Sequence, residues 1–221
     1  MNKLRSGLFV LTIWLVAGSS VSAQPFLNEI NYFAKQDSLQ PPPARPILFI
    51  GSSSFTNWKD VQAWFPGYTV LNRAFGGSSL THQLTYAARI IFPYNPKQII
   101  IYCGENDVAA GASITADSVL NRFKRLHNLI RNRLPDVPIV YVSMKPSPSR
   151  ENLLPVIKEG NRLIRKYIRK KKKTAYADIY HKMLTKEGKI RQDIFLTDRL
   201  HMNKTGYELW QPVLAEYMIR D

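Results

Sequence analysis

The chain has 221 residues, enough for one domain with a sizeable core, and 45% of them are hydrophobic, as in ordinary globular proteins. Its one cysteine, Cys103, excludes an internal disulfide framework and any cysteine-built metal site. The formal charge of +15 suits nucleic acid, an anionic envelope or an acidic polysaccharide alike.

The N-terminus separates these partners. Lys3 and Arg5 precede an apolar run from Leu8 to Ala17, and small residues follow, ending in Val21-Ser22-Ala23. A charged n-region, an apolar stretch and an Ala-type site read as a bacterial-type secretory signal cleaved after Ala23. The alternative is an uncleaved anchor, but the run is shorter than the ~20 residues a spanning helix needs, so no stable membrane insertion is expected after cleavage. Without residues 1–23 the chain keeps 29 basic and 16 acidic residues, a net +13. The expected location is the periplasm or the medium. Nucleic acid is then a poor candidate partner, and no interleaved basic and aromatic motif argues for it.

Residues 24–45 form a lead-in: a short amphipathic helix over Phe26 to Phe33, then Gln40-Pro41-Pro42-Pro43 as a stiff extended linker. The apolar run Ile47 to Ile50 predicts a buried strand, broken at Gly51 into Ser52-Ser53-Ser54. Trp58 to Phe65 reads as a helix stopped by Pro66-Gly67, and Thr69 to Ala74 as a second strand ending in Phe75-Gly76-Gly77. A helix over Ser79 to Phe92 precedes the clearest buried strand, Gln98 to Tyr102, which ends in Cys103-Gly104-Glu105-Asn106-Asp107. Helical spacing over Thr115 to Leu134, a strand at Ile139 to Met144, a helix over Asn152 to Lys172, a short strand at Ala175 to Ile179 and a helix over Asn203 to Met218 complete the chain.

Strands alternating with helices predict an α/β protein with a five-stranded parallel sheet covered on both faces. In such folds ligands sit beyond the carboxyl ends of the strands. The Gly turns at 51, 76 and 104 all fall there. A strand ending in Gly and small hydroxyl residues can hold a nucleophile, because Gly permits the turn and a following helix aims N–H groups at it. Its distant partner is Asp198-Arg199-Leu200-His201, where a carboxylate three residues before an imidazole can orient it.

Four separated blocks, in order, resemble the SGNH hydrolase superfamily, also called GDSL-type esterases and lipases. They are Gly51-Ser52-Ser53-Ser54, Asn72-Arg73-Ala74-Phe75-Gly76-Gly77, Gly104-Glu105-Asn106-Asp107 and Asp198 to Asn203 with Gly206-Tyr207. The resemblance spans Ile47 to the C-terminus and implies a three-layer, flavodoxin-like fold and ester hydrolysis without a metal or organic cofactor. It implies Ser53 as nucleophile, His201 as its base and Asp198 as the carboxylate orienting that base. It further assigns the oxyanion hole to the Ser53 N–H, the Gly76 N–H and the Asn106 side-chain amide.

The family's common Gly-Asp-Ser is Gly51-Ser52-Ser53 here, and Ala74 stands where many members have Gly, so Ser52 and Ser54 stay open as alternative nucleophiles. Cys103 reads as a core thiol, Asp107 as a brace of its loop, and His82, His127 and His181 as structural or solvated. Trp58, Trp64 and Phe75 suit either a cleft or the core. The expected substrate is a small-molecule or glycan ester, with acetyl removal from a carbohydrate as the leading reading. A lipase or lysophospholipase, and a non-catalytic glycan-binding protein on the same fold, are the alternatives.

Overall fold

A computed structural model describes residues 24–220; the expected signal over residues 1–23 lies outside the described residues. In chain order the elements are α1 (Leu27–Leu39), β1 (Ile47–Gly51), α2 (Ser53–Thr56), α3 (Val61–Trp64), β2 (Val70–Asn72), α4 (Leu80–Ile90) and β3 (Gln98–Tyr102). Then come α5 (Glu105–Ala109), α6 (Ala116–Arg133), β4 (Ile139–Val142), α7 (Leu154–Ile168), β5 (Thr174–Ala177) and α8 (Lys204–Ala215). The five strands form one sheet in the order β2-β1-β3-β4-β5, and all four pairings are parallel.

The apolar runs are continuous because successive strand side chains serve two different cores. Leu48, Ile50, Ile99, Ile101, Ile139 and Tyr141 face a core closed by α1, α4, α6 and α7. Ile47, Phe49, Ile100, Tyr102, Val140 and Val142 face the other, closed by Phe55, Trp58, Phe65, Tyr207 and Trp210. Trp58 and Phe75 are 2% and 1% exposed, so both belong to the cores rather than to a cleft. Among the described residues no helix is long and apolar enough to cross a membrane.

Where the elements differ from expectation, backbone geometry and packing give the reason. The helix expected over Trp58 to Phe65 shrinks to one turn, because Asp60 takes a left-handed conformation (φ 50°) just before it. The helix expected from Asn152 splits into a 3-10 segment, Pro148–Leu153, and α7; Pro155 in the first turn of α7 lacks an N–H and suits a helix start. That helix stops at Ile168 rather than Lys172, and Lys173 (φ 52°) turns the chain into β5.

The lead-in helix runs on to Leu39 because it packs on the domain. Ile30 is 1% exposed, and the Phe26 ring lies 5.2 Å from that of Phe75, edge-on. Asp37 pairs with Arg73 and accepts from the Tyr94 hydroxyl at 2.6 Å. Residues 24–39 are therefore part of the folded unit and cover the turn that carries Gly76 and Gly77.

Candidate active site

β1 ends at a residue that only glycine can supply. Gly51 has φ 137°, and a Cβ there would lie 1.9 Å from the Tyr102 carbonyl oxygen of β3. The turn is pinned on both sides: Ser52 N–H donates to Tyr102 O at 3.0 Å, and Phe75 N–H donates to Gly51 O at 3.0 Å. Ser52 is extended and Ser53 opens α2, so the Ser53 N–H has no acceptor one helical turn back. The Tyr207 hydroxyl donates to Ser54 O at 2.9 Å, and Asn72 Nδ2 donates to Phe55 O at 2.7 Å. Motif residues far away in sequence thus hold the serine turn from behind.

The imidazole arrives on a loop that is equally constrained. Leu196 N–H donates to His201 O at 2.8 Å, and Phe195 bridges Met202. Asn203 caps α8 through Gly206 N–H and donates from Nδ2 to Asp193 O at 2.8 Å. Inside the loop, Asp198 Oδ1 accepts the N–H groups of Leu200 and His201, each at 2.9 Å. Asp198 Oδ2 lies 2.6 Å from His201 Nδ1, and His201 Nε2 lies 3.0 Å from Ser53 Oγ.

Serine, imidazole and carboxylate therefore form one hydrogen-bonded line. Ser52 Oγ instead faces Asn106, and Ser54 Oγ is buried without a hydrogen-bond partner, so of the three serines only Ser53 meets the imidazole. Partial desolvation pushes the Asp198 carboxyl upward. The two backbone N–H groups and the imidazole outweigh it and hold the group down at about 2. The carboxylate stays charged wherever the imidazole needs a counterpart.

Gly76 sits against Ser53: a Cβ on it would come 3.9 Å from the Ser53 Cβ. Asn106, the second residue of α5, is placed differently from a free donor. Its Nδ2 donates to Ser52 Oγ at 2.7 Å and to Ser78 O at 3.0 Å, while its Oδ1 accepts from Arg150 Nη2 at 2.8 Å.

Asp107 braces its loop as expected, with Oδ2 accepting the Leu80 N–H at the start of α4 and Oδ1 paired with Arg122. Burial pushes its carboxyl up, against those same donors. Cys103 is buried and its thiol is pushed well up by burial, which leaves it an inert core group. His82 closes a capping box with Ser79, and His181 pairs with Asp178 at 2.8 Å.

The sequence reading missed Arg150, Lys145 and Glu105, which meet beside Asn106. The available signal was Lys145, a charge immediately after the strand expected over Ile139 to Met144. Among the described residues no three or more His, Cys, Asp or Glu side chains gather as metal ligands do. The line of three opens on the surface, with the His201 side chain 25% exposed and that of Asp198 47%. Five surface cavities of 250 to 460 Å³ contain none of the three residues.

Comparison with known proteins agrees with this architecture. Several solved structures share the fold at low sequence identity. A provisionally assigned acylhydrolase from Bacteroides fragilis is 18% identical, with a TM-score of 0.73 over 85% of this chain and 94% of its own. A GDSL-like lipase from Bacteroides thetaiotaomicron is 17% identical, with a TM-score of 0.71 over 85% and 96%. A catalytic mutant of an acetylxylan esterase from Geobacillus stearothermophilus is 12% identical, with a TM-score of 0.65 over 79% and 94%. No curated protein matches the sequence. The model of the GDSL-like Lipase/Acylhydrolase family matches residues 46–209, most of the chain, and the protein belongs to that family, within the SGNH hydrolase superfamily.

Proposed function

We propose that this protein is an exported serine ester hydrolase that removes acetyl groups from a carbohydrate. The observation that carries the reading is the line Ser53 Oγ to His201 Nε2 at 3.0 Å and His201 Nδ1 to Asp198 Oδ2 at 2.6 Å. A serine hydroxyl is a weak nucleophile until a base takes its proton during attack, and His201 Nε2 is within reach to do so. Oγ then bonds to the ester carbon and the carbonyl electron pair moves onto its oxygen. When the pair returns, the carbon–alcohol bond breaks, and the imidazolium gives its proton to the departing alkoxide. Water, deprotonated by the same imidazole, attacks the acyl-Ser53 carbon, and Ser53 leaves with the proton.

Asp198 keeps Nδ1 protonated, so that Nε2 is the basic nitrogen, and stabilises the imidazolium once formed. The Ser53 and Gly76 N–H groups are the backbone donors assigned to the oxyanion in this reading. Asn106 contributes as a third donor by sharing the hydrogen it gives Ser52 Oγ. These steps need no metal or organic cofactor.

Two features support acetyl and carbohydrate over longer acyl chains. The triad lies open on the surface, where a small acyl group needs no deep cavity. Without residues 1–23, the surplus of 13 basic over acidic residues suits an acidic glycan or envelope. Export rests on the charged and apolar pattern of residues 1–23.

The test is release of acid from acetylated xylooligosaccharide and from a lysophospholipid, measured in parallel on the protein lacking residues 1–23. Faster release of acetate supports the proposal. Faster release of fatty acid replaces it with a lipase reading. No release from either, together with no labelling by a serine-reactive phosphonate, favours a non-catalytic glycan-binding protein.

A further inference from the structure

The proposed reaction leaves one buried charge cluster without a task. Lys145, 2% exposed, places Nζ 3.0 Å from each carboxylate oxygen of Glu105. Arg150 Nη1 lies 3.8 Å from that carboxylate, and Arg150 Nη2 donates to Asn106 Oδ1 at 2.8 Å. Two positive charges thus face one negative charge directly behind an amide that points toward the nucleophile turn.

A carboxamide has two orientations related by a half-turn, which exchange its acceptor oxygen and its donor nitrogen. Around Asn106 the neighbours tell these apart. Guanidinium only donates and the Ser78 carbonyl only accepts, whereas the Ser52 hydroxyl can do either. The half-turn would set NH2 against guanidinium and oxygen against carbonyl oxygen. Ser78 O alone holds one hydrogen; Arg150 adds the charge-assisted bond on the oxygen side.

Arg150 is itself fixed. Its N–H donates to Ser147 O at 3.0 Å, and the adjacent Ser149 N–H donates to Arg199 O at 3.1 Å, inside the loop that carries Asp198 and His201. The turn after β4 is therefore clipped to the base-bearing loop while its arginine holds the amide on α5.

We propose that Arg150 is a positioning residue of the ester-hydrolysing site: its guanidinium locks the Asn106 carboxamide with Nδ2 turned toward Ser52 and the oxyanion position. The proposal rests on the esterase reading above for its effect on rate, and on geometry alone for the lock. Loss of a whole oxyanion donor costs on the order of 10²–10³ in kcat, and a misplaced one up to about 10².

The test is a double-mutant cycle on p-nitrophenyl acetate with Arg150→Gln, Arg150→Lys, Asn106→Ala and the Arg150→Gln/Asn106→Ala pair. The expected result is a kcat about 10- to 100-fold lower in Arg150→Gln with KM little changed. Arg150→Lys should recover part of the loss, and the pair should be no slower than Asn106→Ala alone. A raised KM at unchanged kcat, or a pair whose loss is the product of the two single losses, overturns the proposal.

Thermal unfolding checks that each variant folds. A second readout is independent of turnover: the carboxamide protons of Asn106 should exchange slowly with solvent in the native protein and markedly faster in the variant Arg150→Lys or Arg150→Gln that folds. An unchanged exchange rate overturns the lock. A native protein that turns over no ester, but shows this protection and its loss, contradicts the esterase reading and leaves the lock standing.

Discussion

Asp198→Asn is the perturbation whose outcome the geometry specifies most closely. Asp198 uses one oxygen for two backbone donors, the N–H groups of Leu200 and His201, both at 2.9 Å. It uses the other for His201 Nδ1 at 2.6 Å. An asparagine has one acceptor and one donor end. Two N–H donors face the first position, so the amide oxygen has to stay there and the NH2 has to face the imidazole. Nδ1 must then accept, which moves the ring proton to Nε2. The nitrogen that has to take the Ser53 proton already carries one. A wrong tautomer in an otherwise intact serine–histidine–carboxylate line costs about 10⁴ in kcat, or roughly 5.5 kcal/mol at 1.36 kcal/mol per decade.

The assay is kcat for p-nitrophenyl acetate, beside nitrogen NMR of His201 to read the tautomer. The prediction is a loss of about 10⁴ with little change in thermal stability, since the Asn keeps the loop bonds. A loss of less than tenfold, or a proton found on Nδ1 in the variant, refutes the reasoning.

Three further outcomes follow from other parts of the structure. Glu105→Leu should destabilise by roughly 3–5 kcal/mol, because it leaves Lys145 buried without its counterion, whereas Lys145→Met should cost less because Arg150 still faces Glu105; urea unfolding that ranks them the other way contradicts the charge assignment. His127, between Thr174 Oγ1 and the Tyr167 hydroxyl, is pushed down from 6.5 to about 4, by burial first and then by the positive charges of Arg131 and Lys171. The fold favours its neutral form, so that stability is complete above pH 6.5 and drains away as pH falls toward 4. His127→Gln should flatten the fall in unfolding free energy over that window by about 1–2 kcal/mol, read by urea unfolding, and an unchanged slope counts against it. Gly51→Ala should abolish the folded site, since its Cβ would overlap the Tyr102 carbonyl oxygen at 1.9 Å; a circular dichroism melt like that of the native protein would contradict this.

The sheet was legible in the sequence because a strand buried on both faces has to be apolar throughout, and Ile47 to Ile50 and Gln98 to Tyr102 meet that condition. The turns beyond the strands were legible because Gly51 and Gly104 take backbone angles other residues avoid (φ 137° and 134°). Helix ends were less so: a left-handed Asp60 or Lys173 leaves little trace in hydrophobic periodicity.

The meeting of Ser53, His201 and Asp198 was anticipated from motif order and resemblance. The orientation of each side chain was not, because it depends on backbone carbonyls such as Tyr102 O and Ser78 O, which no residue type encodes. Arg150 is the sharpest case. It lies 44 residues from Asn106, in the 3-10 segment Pro148–Leu153, and nothing local to it announces a partner on α5.

The most direct test of the account is the site of covalent labelling by a serine-reactive fluorophosphonate, mapped by peptide mass spectrometry on the native protein and on Ser53→Ala and His201→Ala. The account predicts one adduct per chain, on Ser53, absent in Ser53→Ala and strongly slowed in His201→Ala. An adduct on Ser52 or Ser54, or labelling as fast without His201 as with it, would contradict the assignment of Ser53 as the nucleophile that His201 activates.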